Sequence, residues 1–340
     1  MHSIAAITAV VISLGISNAL AACTVKSQRK AWEYLTSTEK EAYINADLCL
    51  MQTPPIANIE GATNVWDELQ YTHAAQADYI HFVGAFLPFH RYYITVYGTL
   101  LRTLCGYTGP LPYWNEPSNV GALGESTIFD PTTGFGGDGV GSSRCIVDGP
   151  FANITLRVQA DLSIEEYCIY RALNDRAFNS AAQTNADTCL SMATFNDAWN
   201  CIEAKPHAAG HGGVNGLMIN VKLSPGDPVF WLHHGYIDKL WWDWESLKLP
   251  ARLTEVEIFG SNSTYQYTRV DEDVIYANPS KIGGNNTFRG KSDPAYINYF
   301  NDGGSITTIN HTLSSHGLAP NATIGDVMDL GGDYVCAEFV

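Results

Sequence analysis

The chain has 340 residues, 46% hydrophobic and 16% charged, with a formal net charge of −16 from 35 acidic against 19 basic side chains. Such apolar content belongs to a globular protein, and the length allows one large domain or two ordinary ones. The acidic balance argues against a nucleic-acid or anionic-membrane partner, since both require a basic footprint.

In chain order, the opening "SIAAITAVVISLGISNALAAC" is a short apolar run ending in small residues, with Ala19-Leu20-Ala21 as an A-x-A cleavage site. It predicts a secretory signal peptide over residues 1–21, followed by one domain over 22–340. "LAAC" also fits a bacterial lipoprotein box ending at Cys23. Sequons at Asn153, Asn262, Asn285, Asn310 and Asn321 favour a eukaryotic secretory route and an extracellular destination. Cys23, Cys49, Cys105, Cys145, Cys168, Cys189, Cys201 and Cys336 form an even set, expected as disulfides whose partners spacing does not rank.

Thr36 and Glu39 stand at capping-box spacing and open an amphipathic helix that runs towards Leu50. "NVWDELQYTHAAQADYI" predicts a second helix, carrying His73. Pro88 is expected to start a third, with Phe89, Tyr93, Val96, Leu100 and Leu104 at helical spacing until Gly106. Residues 106–150, rich in Gly and Pro, read as a long looped excursion. A shorter helix falls within 195–213. "DPVFWLHHGYIDKLWWDWESL" is a strong helix with Asp227 suited to its N-cap and Pro228 to its first turn. From 250 onward the chain reads as loops and short strands.

Seven histidines form two groups: His73, His81 and His90, then His207, His211, His233 and His234. Nine residues on one straight helix would set His81 and His90 on opposite faces, but a break before Pro88 lets them converge. His207 and His211 stand at i, i+4 on one face. Burying several imidazoles without a metal leaves many donors and acceptors to satisfy, at roughly 1–3 kcal/mol for each failure. Carboxylate bridges suit iron or manganese, whereas all-imidazole shells suit copper or zinc, so the pattern points to two copper ions in a helical bundle.

"HFVGAFLPFHR" followed by "DPVFWLHHGYID", with "PHAAGHGGV" between them, closely resembles the signatures of the type 3 copper proteins: tyrosinases, catechol oxidases and haemocyanins. The resemblance runs over nearly all of the chain after residue 21 and is greatest to short secreted fungal catechol oxidases. It implies a mainly α fold, a four-helix bundle holding a dinuclear copper site, with long loops and a few short strands. It assigns His73, His81 and His90 to copper A and His207, His211 and His234 to copper B, leaving His233 as a neighbour. The implied reaction oxidises small phenols with O2, catechols leaving as o-quinones while oxygen is reduced to water. Oxygen carriage and a two-zinc hydrolase are the rival readings. The first lacks a visible shielding segment, and the second lacks a bridging carboxylate.

Several positions depart from the family pattern. Tyr79 stands where many members carry a cysteine crosslinked to the second copper A histidine. Gly98 replaces a usual Glu eight residues after His90. Ala208 follows the first copper B histidine where monophenol-hydroxylating members often have Asn, and Glu203 lies near enough to orient a water there. Gly212 would leave the entrance wide, Val221 corresponds to a position hanging over copper A, and Phe230 belongs to the substrate-facing set. These features predict dominant diphenol oxidation with weak or lagged monophenol hydroxylation. The alternatives are a true tyrosinase or an o-aminophenol or methoxyphenol oxidase. The chain stops about where the family's catalytic domain ends, so no C-terminal lid domain is expected.

Overall fold

The computed structural model describes residues 23–257 and 307–340. The expected signal peptide and the sequons at Asn262 and Asn285 lie outside the described residues.

Helix α1 (Ser37–Leu50) opens with the expected reciprocal capping box between Thr36 and Glu39. Helix α2 (Val65–Ile80) is capped by Asn64, whose side-chain oxygen accepts Asp67 N–H at 2.8 Å. Helix α3 (Phe86–Cys105) begins two residues before the expected Pro88 start. Pro88 lies in its first turn, where a missing N–H breaks no helical bond. Gly106 ends it at φ 67°, a left-handed conformation that glycine adopts without Cβ strain.

The looped excursion after Gly106 carries strand β2 (Leu111–Tyr113), which lies parallel to β1 (Ser27–Ala31). A Cβ at Gly98 would fall 2.6 Å from Leu111 Cδ1. Glycine there lets β2 cross close to α3, so this departure from the family pattern has a packing cause rather than signalling only a lost carboxylate.

The hairpin β3 (Thr155–Val158) with β4 (Ile164–Cys168) precedes α4 (Asp175–Phe178), α5 (Gln183–Leu190) and α6 (Phe195–Ile202). Pro206 has no N–H for the i→i−4 ladder, and the chain widens into a π turn over Glu203–His207 before α7 (Ala208–Val214). Helix α8 (Val229–Ser246) starts one residue later than expected, with Pro228 flanking it. Asp227 nevertheless caps it from one residue further out, accepting Val229 N–H at 3.0 Å. Its carboxylate also takes a forked pair of bonds from buried Arg171 at 2.7 and 2.8 Å. This bond pair holds the segment after β4 against the start of α8.

Strands β5 (Thr312–Leu313) and β6 (Ala322–Thr323) pair ahead of the short α9 (Ile324–Met328), and β7 (Ala337–Phe339) completes a sheet of order β2–β1–β7. The eight cysteines pair as Cys23–Cys336, Cys49–Cys105, Cys145–Cys168 and Cys189–Cys201. The first pair and the β1–β7 ladder tie the two described ends together. No described helix is long and apolar enough to cross a membrane.

Helices α3 and α8 lie against each other in the core, joined by a fully buried ion network. Arg91 Nε donates to Asp238 at 2.6 Å and its Nη2 to Glu245 at 2.8 Å. Its Nη1 donates to the carbonyls of Val327 and Met328, binding α9 to the same network. Arg29 of β1 makes a second ion pair with Asp238. Arg91 follows His90 directly, and Asp238 lies one turn after His234. The network therefore clamps the two histidine-bearing helices to one another.

Candidate metal centre

The seven core histidines occupy the space between α2, α3, α7 and α8, and all are buried. His73 projects from the middle of α2. His81 stands just past the end of α2 in extended backbone, so its ring is free of the helical periodicity that would turn it away from His90. The ring centroids of His73, His81 and His90 lie 5.0, 5.1 and 5.6 Å apart. In the second group, His207 and His211 are 4.5 Å apart and lie 5.2 and 5.4 Å from His234. In each group one ring nitrogen of every member lies within 4.8 Å of the others. The groups meet where His90 stacks on His234 at 4.2 Å, nearly parallel.

Five rings are anchored in the same way, through Nδ1–H donated to a backbone carbonyl. His81 donates to Ala77 at 2.9 Å, His90 to Phe86 at 2.8 Å and His207 to Glu203 at 3.2 Å, each four residues back. His73 donates to Lys222 at 3.2 Å, and His211 to Met218 at 2.6 Å. With Nδ1 carrying the proton, Nε2 carries the lone pair. Nε2 of His73, His90 and His207 is buried without a hydrogen-bond partner, and those of His211 and His234 face each other at 3.3 Å. Burial and neighbouring imidazoles hold the histidine pKa values down, His81 to about 3, so the rings are neutral near pH 7. Inward-turned, neutral, unpartnered Nε2 atoms are the donor set a soft-to-borderline metal requires, and no carboxylate shares either group.

The walls are aromatic. Phe86 lies 4.6 Å from His207, and Phe230 lies 4.2 Å from His234 and 5.3 Å from His73. Phe230 is thus packed between the two groups. Val221 and Ala208 are partly exposed, while Gly212 is buried. A Cβ at Gly212 would meet Ala177 Cβ at 3.2 Å, so α4 packs close against α7 at this point. Val221 adjoins Lys222, whose carbonyl anchors His73, which sets it beside the first group.

Glu203 is buried, and both its oxygens are engaged. Phe82 N–H donates to one at 2.8 Å and Trp199 Nε1–H to the other at 2.7 Å. Burial, only partly offset by these two donors, pushes its carboxyl up to about 8. Phe82 has φ 57°, so Glu203 pins a strained turn immediately after His81.

One feature escaped the sequence reading. His233, placed in the second group by sequence but left as a neighbour of the ligands, does lie with that group. Its Nδ1 pairs with Glu116, a carboxylate from the looped excursion more than a hundred residues earlier. The adjacent histidines were the available signal for His233. Nothing in the local spacing of "YWNEP" marks Glu116.

The helical core and its two facing imidazole groups define a type 3 copper protein. The profile described as "Common central domain of tyrosinase" matches residues 63–247. "Tyrosinase-like protein phomQ1" of Diaporthe leptostromiformis is 35% identical over 345 residues, covering 93% of this chain and 78% of its own. "Tyrosinase ustQ" of Aspergillus flavus is 30% identical over 256 residues, covering 71% of this chain and 70% of its own. A solved polyphenol oxidase variant from Thermothelomyces thermophila has the same fold, with a TM-score of 0.71 at 24% identity, covering 93% of this chain and 89% of its own. The chain belongs to the tyrosinase family and is a copper oxidoreductase.

Proposed function

We propose that His73, His81 and His90 hold copper A and that His207, His211 and His234 hold copper B. On this reading the protein oxidises o-diphenols to o-quinones with O2, two catechols giving two quinones and two waters. The observation that carries the proposal is the shared anchoring of five rings through Nδ1, which leaves Nε2 facing inward.

The copper pair, when bound, supplies the two-electron chemistry between phenol and oxygen. The carbonyl anchors fix the tautomer and direction of five of the six imidazoles before metal binds, so little rearrangement is needed. Phe86 and Phe230 supply an apolar wall that excludes water from the histidines. Val221, Gly212 and Ala208 are proposed to line the phenol's approach. Glu203 holds the turn after His81 and orients a water; with Ala208 beside it, no side-chain amide helps to hold that water. A catechol's paired hydroxyls lose protons readily, whereas a monophenol needs a placed base. Diphenol oxidation is therefore expected to dominate.

The four disulfides and the exposed sequons Asn153, Asn310 and Asn321 support passage through an oxidising secretory route, with residues 22–340 as one domain. Copper content tests the central claim. Purified wild type should bind two coppers, and His90→Ala and His211→Ala should each bind copper more weakly than wild type and lose catechol oxidation. Two coppers and full activity in either variant would refute the assignment.

A further inference from the structure

His233 carries a ligand-ready nitrogen that the three-plus-three assignment leaves unused. Its ring is fully buried on α8 beside His234, with centroids 4.8 Å apart, and lies 4.6 Å from His211 and 5.4 Å from His207. Nδ1 is engaged by Glu116, whose carboxylate is also fully buried. Nε2 is buried and has no hydrogen-bond partner. A carboxylate on one nitrogen of a histidine fixes the tautomer and raises the basicity of the other, the usual support for a metal-binding imidazole.

The backbone makes room for this pair. A Cβ on Gly210 would fall 2.2 Å from His233 Nδ1 and 2.7 Å from Glu116 Oε1. Only glycine at that position of α7, which lies between His207 and His211 in the sequence, lets the imidazole and carboxylate meet against the helix backbone. A merely space-filling histidine would need neither a buried carboxylate on Nδ1 nor a bare Nε2.

We infer that Glu116 is a positioning residue and that His233 is a reserve ligand of copper B. Copper B thus has four imidazoles within reach, and His233 takes the metal when His234 is lost or displaced. This rests on the copper B assignment above. Glu116 acts through His233, engaging Nδ1 and leaving Nε2 as the ring nitrogen available to the ion.

The test uses the full chain stripped of copper and titrated with Cu(I) against a chromogenic chelator. Wild type should bind two ions; if it does not, the copper assignment itself fails, separately from this inference. His234→Ala should still bind the second ion, with a dissociation constant raised about 10–100-fold. The double variant His233→Ala, His234→Ala should bind one ion only. Glu116→Ala placed in the His234→Ala background should weaken the second ion about tenfold further or abolish it. Equal second-ion affinity in His234→Ala and the double variant would overturn the inference, as would unchanged affinity on adding Glu116→Ala. Circular dichroism of each copper-free variant checks folding, and asparagine replaces alanine wherever a spectrum departs from wild type.

Discussion

Replacing Arg91 with Met should destabilise the protein by about 3–5 kcal/mol, the cost of stranding one member of a buried ion network. Arg91 is fully buried and makes bonds to Asp238, Glu245 and two carbonyls of α9. Its guanidinium also lies 3.7 Å above the Trp241 ring. Asp238 would keep Arg29, but Glu245 would lose its arginine, and its second oxygen is already unpartnered. Burial pushes the Glu245 carboxyl up to about 8 even beside Arg91. Without the arginine it rises further, so the deficit should grow as pH passes 8 and ionisation of the stranded carboxyl is enforced. The assay is guanidinium unfolding of copper-free protein with its disulfides intact, at pH 6 and pH 9. Adding Glu245→Leu should recover part of the loss, because an apolar replacement of a buried pair is often neutral. A single variant within about 1 kcal/mol of wild type would refute the reasoning, as would a double variant showing the full sum of two losses.

Acid should unfold the copper-free protein early. The histidine pKa values are depressed by burial, so the unfolded chain binds more protons below the ordinary value of 6.5, and stability present above that pH is lost as it falls towards the folded value. For His81, depressed to about 3, the loss at pH 5 is about 2 kcal/mol. A melting temperature unchanged between pH 7 and pH 5 would contradict this. Gly210→Ala should cost about 1–3 kcal/mol and weaken copper B, since its Cβ would overlap His233 Nδ1; equilibrium unfolding and chelator titration read both effects. Ala208→Asn should raise monophenol hydroxylation more than diphenol oxidation, measured on tyrosol against its ortho-hydroxylated partner. Equal effects on the two rates would remove the role given to the amide and its water.

Much of this protein was legible along the chain because its signals are local. The capping box at Thr36, the periodicity of α2 and α3, the left-handed stop at Gly106 and the i, i+4 spacing of His207 and His211 each involve residues within a turn or two of one another. Helix starts at Phe86 and Val229 were misjudged by a residue or two, because proline tolerates several first-turn positions. The four disulfide pairings, the Arg91 network and the carbonyl that anchors His73 needed the tertiary structure. Lys222 and His73 are 149 residues apart, and nothing in either neighbourhood announces the other. Glu116 makes the same point most sharply: a lone carboxylate in a glycine- and proline-rich loop reads as surface until the fold buries it against His233. Periodicity reports which face of a helix seeks the core, but the partner waiting there is chosen by packing between distant segments, and that choice leaves no local trace.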